Sequence, residues 1–427
     1  MRTPTLEDLT LPGTDLADHP HPFLARLRAQ GPVHRIPTAD SGEVWLVVGH
    51  DEARAALTDP RLRNDVRHSA AWEDDGVHAV GRNMLQVDPP HHTRLRRLVA
   101  GQFTARRIEA LAPRVQAITD ELLDAMVPLG RADLVESFAM PLPMAVICEL
   151  LGVPAVDRKV FTTWSADIVT PGSRDAAASA EAMTGYLTDL IDDKSRTGGD
   201  DLLAALVGTR ADDGDRLTSE ETLGMAFLLL VAGHETTVNL LSSGVCALLL
   251  RPEQLAALRA DRSLLDGAIE EMLRHESPLG TSAYRYTSEA VELAGTTIPA
   301  GEPVLVVLGA ANRDPRRFPD PDRFDIRRDA RGHLAFSHGV HHCLGAPLAR
   351  LEVSIALGSL LDRCPDLRLA TDPATLTWRS GLMRGLHHLP VAFGPTDAEG
   401  RLRRPGTSVT RGPAYGPRLP TPARADG

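Results

Sequence analysis

Cys343 stands in the run FSHGVHHCLG, residues Phe336 to Gly345, and apolar periodicity resumes behind it at Leu348, Leu351 and Ile355. That pattern predicts a loop that delivers the sulfur to the entrance of a helix. Unpaired N–H groups and the positive end of the helix dipole favour a thiolate there, moving a cysteine from about 8.5 toward roughly 3.5–7.5. The same N–H groups can donate hydrogen bonds to a metal-bound sulfur. Gly339 and Gly345 remove side chains on both sides, permitting positive φ and close approach of a flat cofactor. Two other readings compete: a free cysteine in a histidine-rich turn, and zinc held by His338, His341, His342 and Cys343. Four ligands packed into one short turn suit a tetrahedral ion poorly, because structural zinc sites draw on separated pairs.

A second chemical cluster, AGHETT at Ala232 to Thr237, interrupts the most apolar window of the chain, Met225 to Leu250. Glu235 followed by Thr236 places an acid beside a hydroxyl, which makes a short proton relay. Ala232 and Gly233 leave room beside the helix. Taken alone, such a cluster is more often a kink or a satisfied core network. His234-Glu235 also begins like a zinc-protease H-E-x-x-H, but Val238 stands at the second histidine position. Glu271 and Arg274 have the three-residue spacing of a common helix pair.

Stepping outward, β-like runs at Val33–Ile36 and Val44–Val48 bracket a turn at Gly42, and Asp51 helps start a helix. Helical spacing follows at Pro113–Met126, Pro143–Leu151, Ala155–Ile168, Ala176–Lys194 and Asp200–Val207. Thr218 and Glu221 form a capping-box pattern for a helix reaching about Leu250, where Pro252 follows. A further helix ends near His275. Val291 to Val307 alternates like strands around Pro299-Ala300-Gly301, and a Pro/Asp-rich stretch, Asn312 to Asp325, leads to the cysteine loop.

Phe336-x-x-Gly339-x-His341-x-Cys343-x-Gly345, with Leu348-Ala349-Arg350 behind it, resembles the haem-binding signature of the cytochrome P450 superfamily at every fixed position. AGHETT, Glu271-x-x-Arg274, DPPHHTRLRR (Asp88 to Arg97) and YRYTSEAVEL add matches in the family's order. The resemblance covers about residues 10 to 393, and its wording is nearest to bacterial, ferredoxin-dependent, actinobacterial enzymes that tailor polyketides and macrolides. It implies a mainly α fold with small β-sheets, a triangular helical prism enclosing haem between the long central helix and the cysteine-loop helix.

The resemblance further implies haem b with Cys343 as the iron's axial ligand, whose donated electron density favours O–O cleavage. Phe336, Gly339, His341 and Gly345 would frame the cofactor on the cysteine side, and Ala232 and Gly233 on the other. His92, Arg96, Arg285 and His341 would hold the propionates, which need such partners in a low-dielectric site. Glu235 and Thr236 are the expected catalytic pair. Glu271 and Arg274 would be structural, packing with Arg323 of PDRFD, and Val87, Ala232, Thr236, Leu279 and Met383 would line the substrate pocket. His91, where the family often has Glu, and the stretch after Phe393 depart from the pattern.

With 427 residues and 43% apolar composition the chain can bury a large core. One domain over 1–395 is expected, with a Pro/Arg-rich, disordered tail at 396–427. Met1 to Asp15 lacks the pattern of a signal peptide, and polar residues interrupt the Met225–Leu250 window too often for a membrane anchor. Four cysteines without a C-x-x-C pair fit a reducing cytoplasm, and a net charge of -11 disfavours nucleic acid.

No G-x-G-x-x-G or P-loop is present, and the cysteines cannot cage an iron–sulfur cluster, so electrons must come from outside. The resemblance implies a ferredoxin fed by an NAD(P)H-dependent reductase. Arg94, Arg96, Arg97, Arg106 and Arg107 offer either a docking patch or a solvated helix face. Glu73, Asp74 and Asp75 offer either attraction for a cationic amino sugar or a solvated acidic loop. The expectation is a monomeric monooxygenase that hydroxylates or epoxidises a small-molecule natural product. Its alternatives are oxidative ring closure or coupling without oxygen insertion, and a haem-binding sensor without turnover.

Overall fold

A computed structural model of the protein describes residues 19–38, 42–72, 83–154, 157–169, 173–209, 214–379 and 383–394. Its helices begin with α1 (Pro20–Gln30), α2 (His50–Thr58), α3 (His91–Ala100), α4 (Ala105–Ala110), α5 (Ala112–Met126), α6 (Pro141–Leu150) and α7 (Arg158–Val169). They continue with α8 (Ala176–Thr197), α9 (Leu202–Gly208), α10 (Ser219–Leu249), α11 (Pro252–Ala260), α12 (Leu265–His275), α13 (Leu308–Ala311) and α14 (Ala346–Arg363). The chain is mainly α with small sheets, as its sequence predicts. The stretch 396–427, read above as a tail, and Glu73, Asp74 and Asp75 lie outside the described residues.

The long helix is set by its first turn. Thr218 Oγ1 accepts from the Glu221 N–H at 3.1 Å, and Glu221 Oε2 accepts from the Thr218 N–H at 2.9 Å, so the expected capping box forms at the start of α10. Arg94 of α3 then donates to Glu221 at 2.6 Å and to Asp215 at 2.9 Å, tying that start to the helix that carries His92 and Arg96. α10 has the length and apolarity to cross a membrane by composition, but 56% of its most apolar window is buried inside the protein. Its glycines admit neighbours: a Cβ at Gly244 would stand 2.4 Å from Met272, and one at Gly233 would stand 2.9 Å from Ile147.

The strands are β1 (Val33–Thr38), β2 (Gly42–Val47), β3 (Leu62–Arg63), β4 (Arg131–Asp133), β5 (Arg285–Thr287), β6 (Val291–Leu293), β7 (Thr296–Ile298) and β8 (Pro303–Val306). Later come β9 (Arg368–Leu369), β10 (Trp378–Arg379), β11 (Gly385–Leu386) and β12 (Pro390–Ala392). The larger sheet runs β1-β2-β8-β5-β3, and its one parallel pair, β2 with β8, sets Leu46 opposite Leu305. Its antiparallel neighbour β5 delivers Arg285 to the interior. The hairpin β10–β11 pairs Arg379 with Gly385 and lies against α10.

Glu271 and Arg274 form the buried anchor of the irregular stretch. Arg274 Nε and Nη2 donate to the Glu271 carboxylate at 2.7 and 2.8 Å, and both side chains are fully buried. Arg274 also donates to the carbonyls of Asn312 and Pro321 at 2.9 and 2.8 Å. The arginine expected as their partner, Arg323, supplies only its backbone carbonyl, 3.3 Å from Arg274 Nη2, while its own guanidinium is exposed beside Asp325. Arg328 takes that place, with Nε 3.3 Å from Glu271 Oε1, because the loop turns back after Asp325.

Candidate active site

The cysteine loop is built by its backbone. The Cys343 N–H donates to the Phe336 carbonyl at 2.9 Å and the His342 N–H to the Gly339 carbonyl at 3.1 Å, closing the run on itself just before α14. Gly339 holds φ +75°, and a Cβ there would meet the Leu57 carbonyl at 2.7 Å, so this glycine admits the end of α2. Gly345 has an ordinary φ of −81°, which corrects the expectation of positive φ, and a Cβ there would stand 3.9 Å from the sulfur. Cys343 keeps accessible surface although protein atoms surround it densely. Burial pushes its thiol above the ordinary value and outweighs the Gly345 and Ala346 N–H groups and the Arg96 and Arg350 guanidiniums. A cation beside this sulfur would favour its thiolate form.

Phe336 is fixed from behind. The Arg350 guanidinium lies 4.5 Å from its ring centroid and donates to Glu270 at 2.6 and 2.9 Å, while His333 Nε2 lies 3.1 Å from the same carboxylate. Burial pulls the Glu270 carboxyl up, but His333 and Arg350 prevail and hold it down at about 2. His338, His341, His342 and Cys343 do not assemble as a zinc set. Among the described residues, the one group of His, Cys, Asp and Glu with ligand atoms in mutual reach is Asp133, Glu136 and His388, elsewhere in the fold.

Four nitrogen-bearing side chains expected at the propionates come from three separate segments. His92 on α3 is buried, with its ring centroid 4.3 Å from that of His341. Both ring nitrogens of His92, Nε2 of His341 and Nε of Arg285 are buried without a protein partner. Burial and the neighbouring Arg96 lower His92, and burial, His92, Arg285 and Arg96 push His341 down to about 3. Burial lowers Arg285 to about 10. Like groups left unsatisfied together are costly, and a pair of carboxylates would satisfy them. These residues therefore fit a haem, and Cys343 is the residue that would hold its iron. Arg96 has a further task that the sequence did not show: its Nη atoms donate to the carbonyls of Val340 and His342 at 3.1 and 2.8 Å, clamping the cysteine loop.

On α10, Ala232 is exposed and Thr236 is half-buried, while Glu235 is buried. Thr236 Oγ1 donates to the Ala232 carbonyl at 3.2 Å, a bond that bends helices. Glu235 faces Arg379 Nη1 at 3.4 Å and His234 Nε2 at 3.7 Å. Burial raises its carboxyl, but His234 and Arg379 prevail and hold it below the ordinary value. A Cβ at Gly233 would meet Ile147 of α6, so the glycine's smallness serves helix packing here. Val87 is buried in an apolar cluster with Met84, Leu95 and Leu98. Leu279 and Met383 meet as an isolated antiparallel bridge, bringing the two late turns together.

The expected arginine patch is largely consumed. Arg94 is held by Asp215 and Glu221, Arg96 by the cysteine loop, and Arg97 faces Asp215 at 3.4 Å. Arg106 and Arg107 remain exposed, Arg107 bonded to Gln102. Arg379 and Arg328 were missed because neither sits in a motif; only the fold brings them to their carboxylates.

A cytochrome P450 family profile matches residues 173–375. Cytochrome P450 monooxygenase PikC of Streptomyces venezuelae is 58% identical over 92% of this chain and 95% of its own length. Mycinamicin IV hydroxylase/epoxidase of Micromonospora griseorubida is 45% identical over 86% of this chain and 94% of its own. The tirandamycin C-bound P450 monooxygenase TamI superposes with a TM-score of 0.82 at 47% identity, covering 89% of this chain and 99% of that one.

Proposed function

This chain belongs to the cytochrome P450 family and is a haem-dependent monooxygenase, and from that premise we propose that it hydroxylates or epoxidises a polyketide- or macrolide-type natural product. The substrate class follows from relatives named for mycinamicin IV and tirandamycin C. The observation that carries the chemistry is the pairing of one accessible sulfur with buried, unpartnered donors at His92, Arg285 and His341.

Cys343 would ligate the iron, and His92, Arg285 and His341, with Arg96, would receive the propionates. When bound, haem supplies dioxygen activation at iron. The Gly345 and Ala346 N–H groups orient the sulfur and share its charge. Phe336, pressed between the sulfur loop and Arg350, excludes water from that side. Glu235 holds a carboxylate inside the long helix and passes protons by way of Thr236, whose hydroxyl must leave the Ala232 carbonyl to donate. Ala232, Thr236, Leu279 and Met383 line the substrate side. Electrons come from a ferredoxin and an NAD(P)H-dependent reductase, Arg106 and Arg107 being the exposed remainder of the docking patch. The protein acts in the cytoplasm as a monomer, in one domain ending near 395.

Mycinamicin IV and tirandamycin C are the first probes. A shift of the haem spectrum on binding, followed by a product heavier by one oxygen atom with a surrogate ferredoxin and reductase, is the expected result. Turnover to a product without added oxygen would replace this reading by ring closure or coupling. Thr236→Ala should drop the yield of product per NADPH by about tenfold or more while NADPH consumption continues, and an unchanged yield would remove Thr236 from the relay.

A further inference from the structure

Arg379 belongs to no motif, yet it reaches the one acid on α10 that the chemistry uses. Its Nη1 lies 3.4 Å from Glu235 Oε2, and its Nη2 donates to Asn239 Oδ1 at 3.0 Å, so one guanidinium spans two side chains one helical turn apart. The strand carrying it has no slack. Gly385, its partner in the hairpin, would place a Cβ 1.9 Å from Asn239 Oδ1, so β11 is seated directly on that face of α10. Glu235 and Asn239 are buried, whereas Arg379 is 22% exposed, so the pair lies at the border of the interior. The same hairpin continues to Met383, which bridges Leu279.

We propose that Arg379 is a positioning residue for proton delivery: it holds the Glu235 carboxylate toward the β10–β11 hairpin and, with Asn239, sets how readily that acid serves Thr236. This rests on the reading of Glu235 and Thr236 as the proton route. Thr236 bonds back to Ala232 while Glu235 bonds sideways to Arg379 and His234, so the two steps of the route are held apart in this state. Loss of the guanidinium removes a charge-assisted partner from a buried carboxylate, which a neutral replacement cannot restore and lysine can in part.

The test needs no substrate. Haem-loaded wild type, Arg379→Gln, Arg379→Lys, Glu235→Gln and the Arg379→Gln/Glu235→Gln double variant are supplied with NADPH, a surrogate ferredoxin and its reductase in H2O and D2O. Solvent isotope effect and peroxide released per NADPH are read beside haem content and the carbon monoxide band. Glu235→Gln should change the isotope effect and peroxide fraction by about threefold or more, Arg379→Gln should move both in the same direction, and Arg379→Lys should restore most of the difference. The double variant should match Glu235→Gln alone, because both substitutions break one pair. If Glu235→Gln leaves both readouts at the wild-type values, the proton-route reading falls. Should Glu235→Gln change them while Arg379→Gln does not, or should the two effects add in the double variant, the reading stands and this inference is overturned. If Arg379→Gln fails to hold haem, the lysine and double variants decide: a lysine protein with the isotope effect of Glu235→Gln refutes restoration of the charge, and one with the wild-type effect supports it.

Discussion

The two sides of the site are held by different means. On the cysteine side, position is set by backbone hydrogen bonds within a single run, by Gly339 against Leu57, and by Arg96 reaching two carbonyls of the loop. On the α10 side, Glu235 is held by its neighbour His234 and by one guanidinium from a strand 144 positions along the chain. The first arrangement fixes the sulfur that we propose as the iron ligand; the second leaves the proposed proton-carrying acid dependent on a partner from another segment. A site that must both grip a cofactor and pass protons needs both kinds.

The strongest test of this contrast is Glu271→Ala. It leaves Arg274 buried and uncompensated beneath the stretch that leads to the cysteine loop, and should cost about 3–5 kcal/mol by chemical denaturation, with loss of haem retention. A cost under about 1 kcal/mol would show that the anchor does not hold the cysteine side. Gly339→Ala comes next: φ +75° and the Leu57 carbonyl predict a loss of roughly 1–3 kcal/mol, again with weaker haem retention. Wild-type stability there would mean that the loop is not fixed by its backbone.

Glu270 sharpens the comparison through pH. Its carboxyl sits at about 2 in the folded protein against an ordinary 4.5, so its contribution to stability is complete above 4.5 and is lost as pH falls from there toward 2. After allowance for solvent screening the contribution is on the order of 1–2 kcal/mol. Glu270→Gln should lower the melting temperature near neutral pH, and the difference from wild type should close at acid pH. A difference that persists below about pH 2 would assign the loss to packing instead.

The cysteine side was the more legible in sequence, because its determinants are neighbours in the chain. Phe336, Gly339, His341, Cys343 and Gly345 fall in one run, and Thr218 with Glu221 announced the start of α10. Sequence misjudged what depends on approach in space. A Cβ at Gly233 would meet Ile147 and one at Gly339 the Leu57 carbonyl, contacts that no local pattern gives. Arg323 and Arg328 lie in the same polar stretch, and only the return of the loop decides that Arg328 faces Glu271.

The central claim is that Cys343 is the sulfur on the iron. The direct measurement is the reduced carbon monoxide difference spectrum of haem-loaded wild type beside Cys343→His, a replacement that can still ligate iron through nitrogen. Wild type should show the band for which the family is named, and the histidine protein should keep haem while that band is replaced by one typical of nitrogen ligation. A histidine protein with the wild-type spectrum would contradict the account.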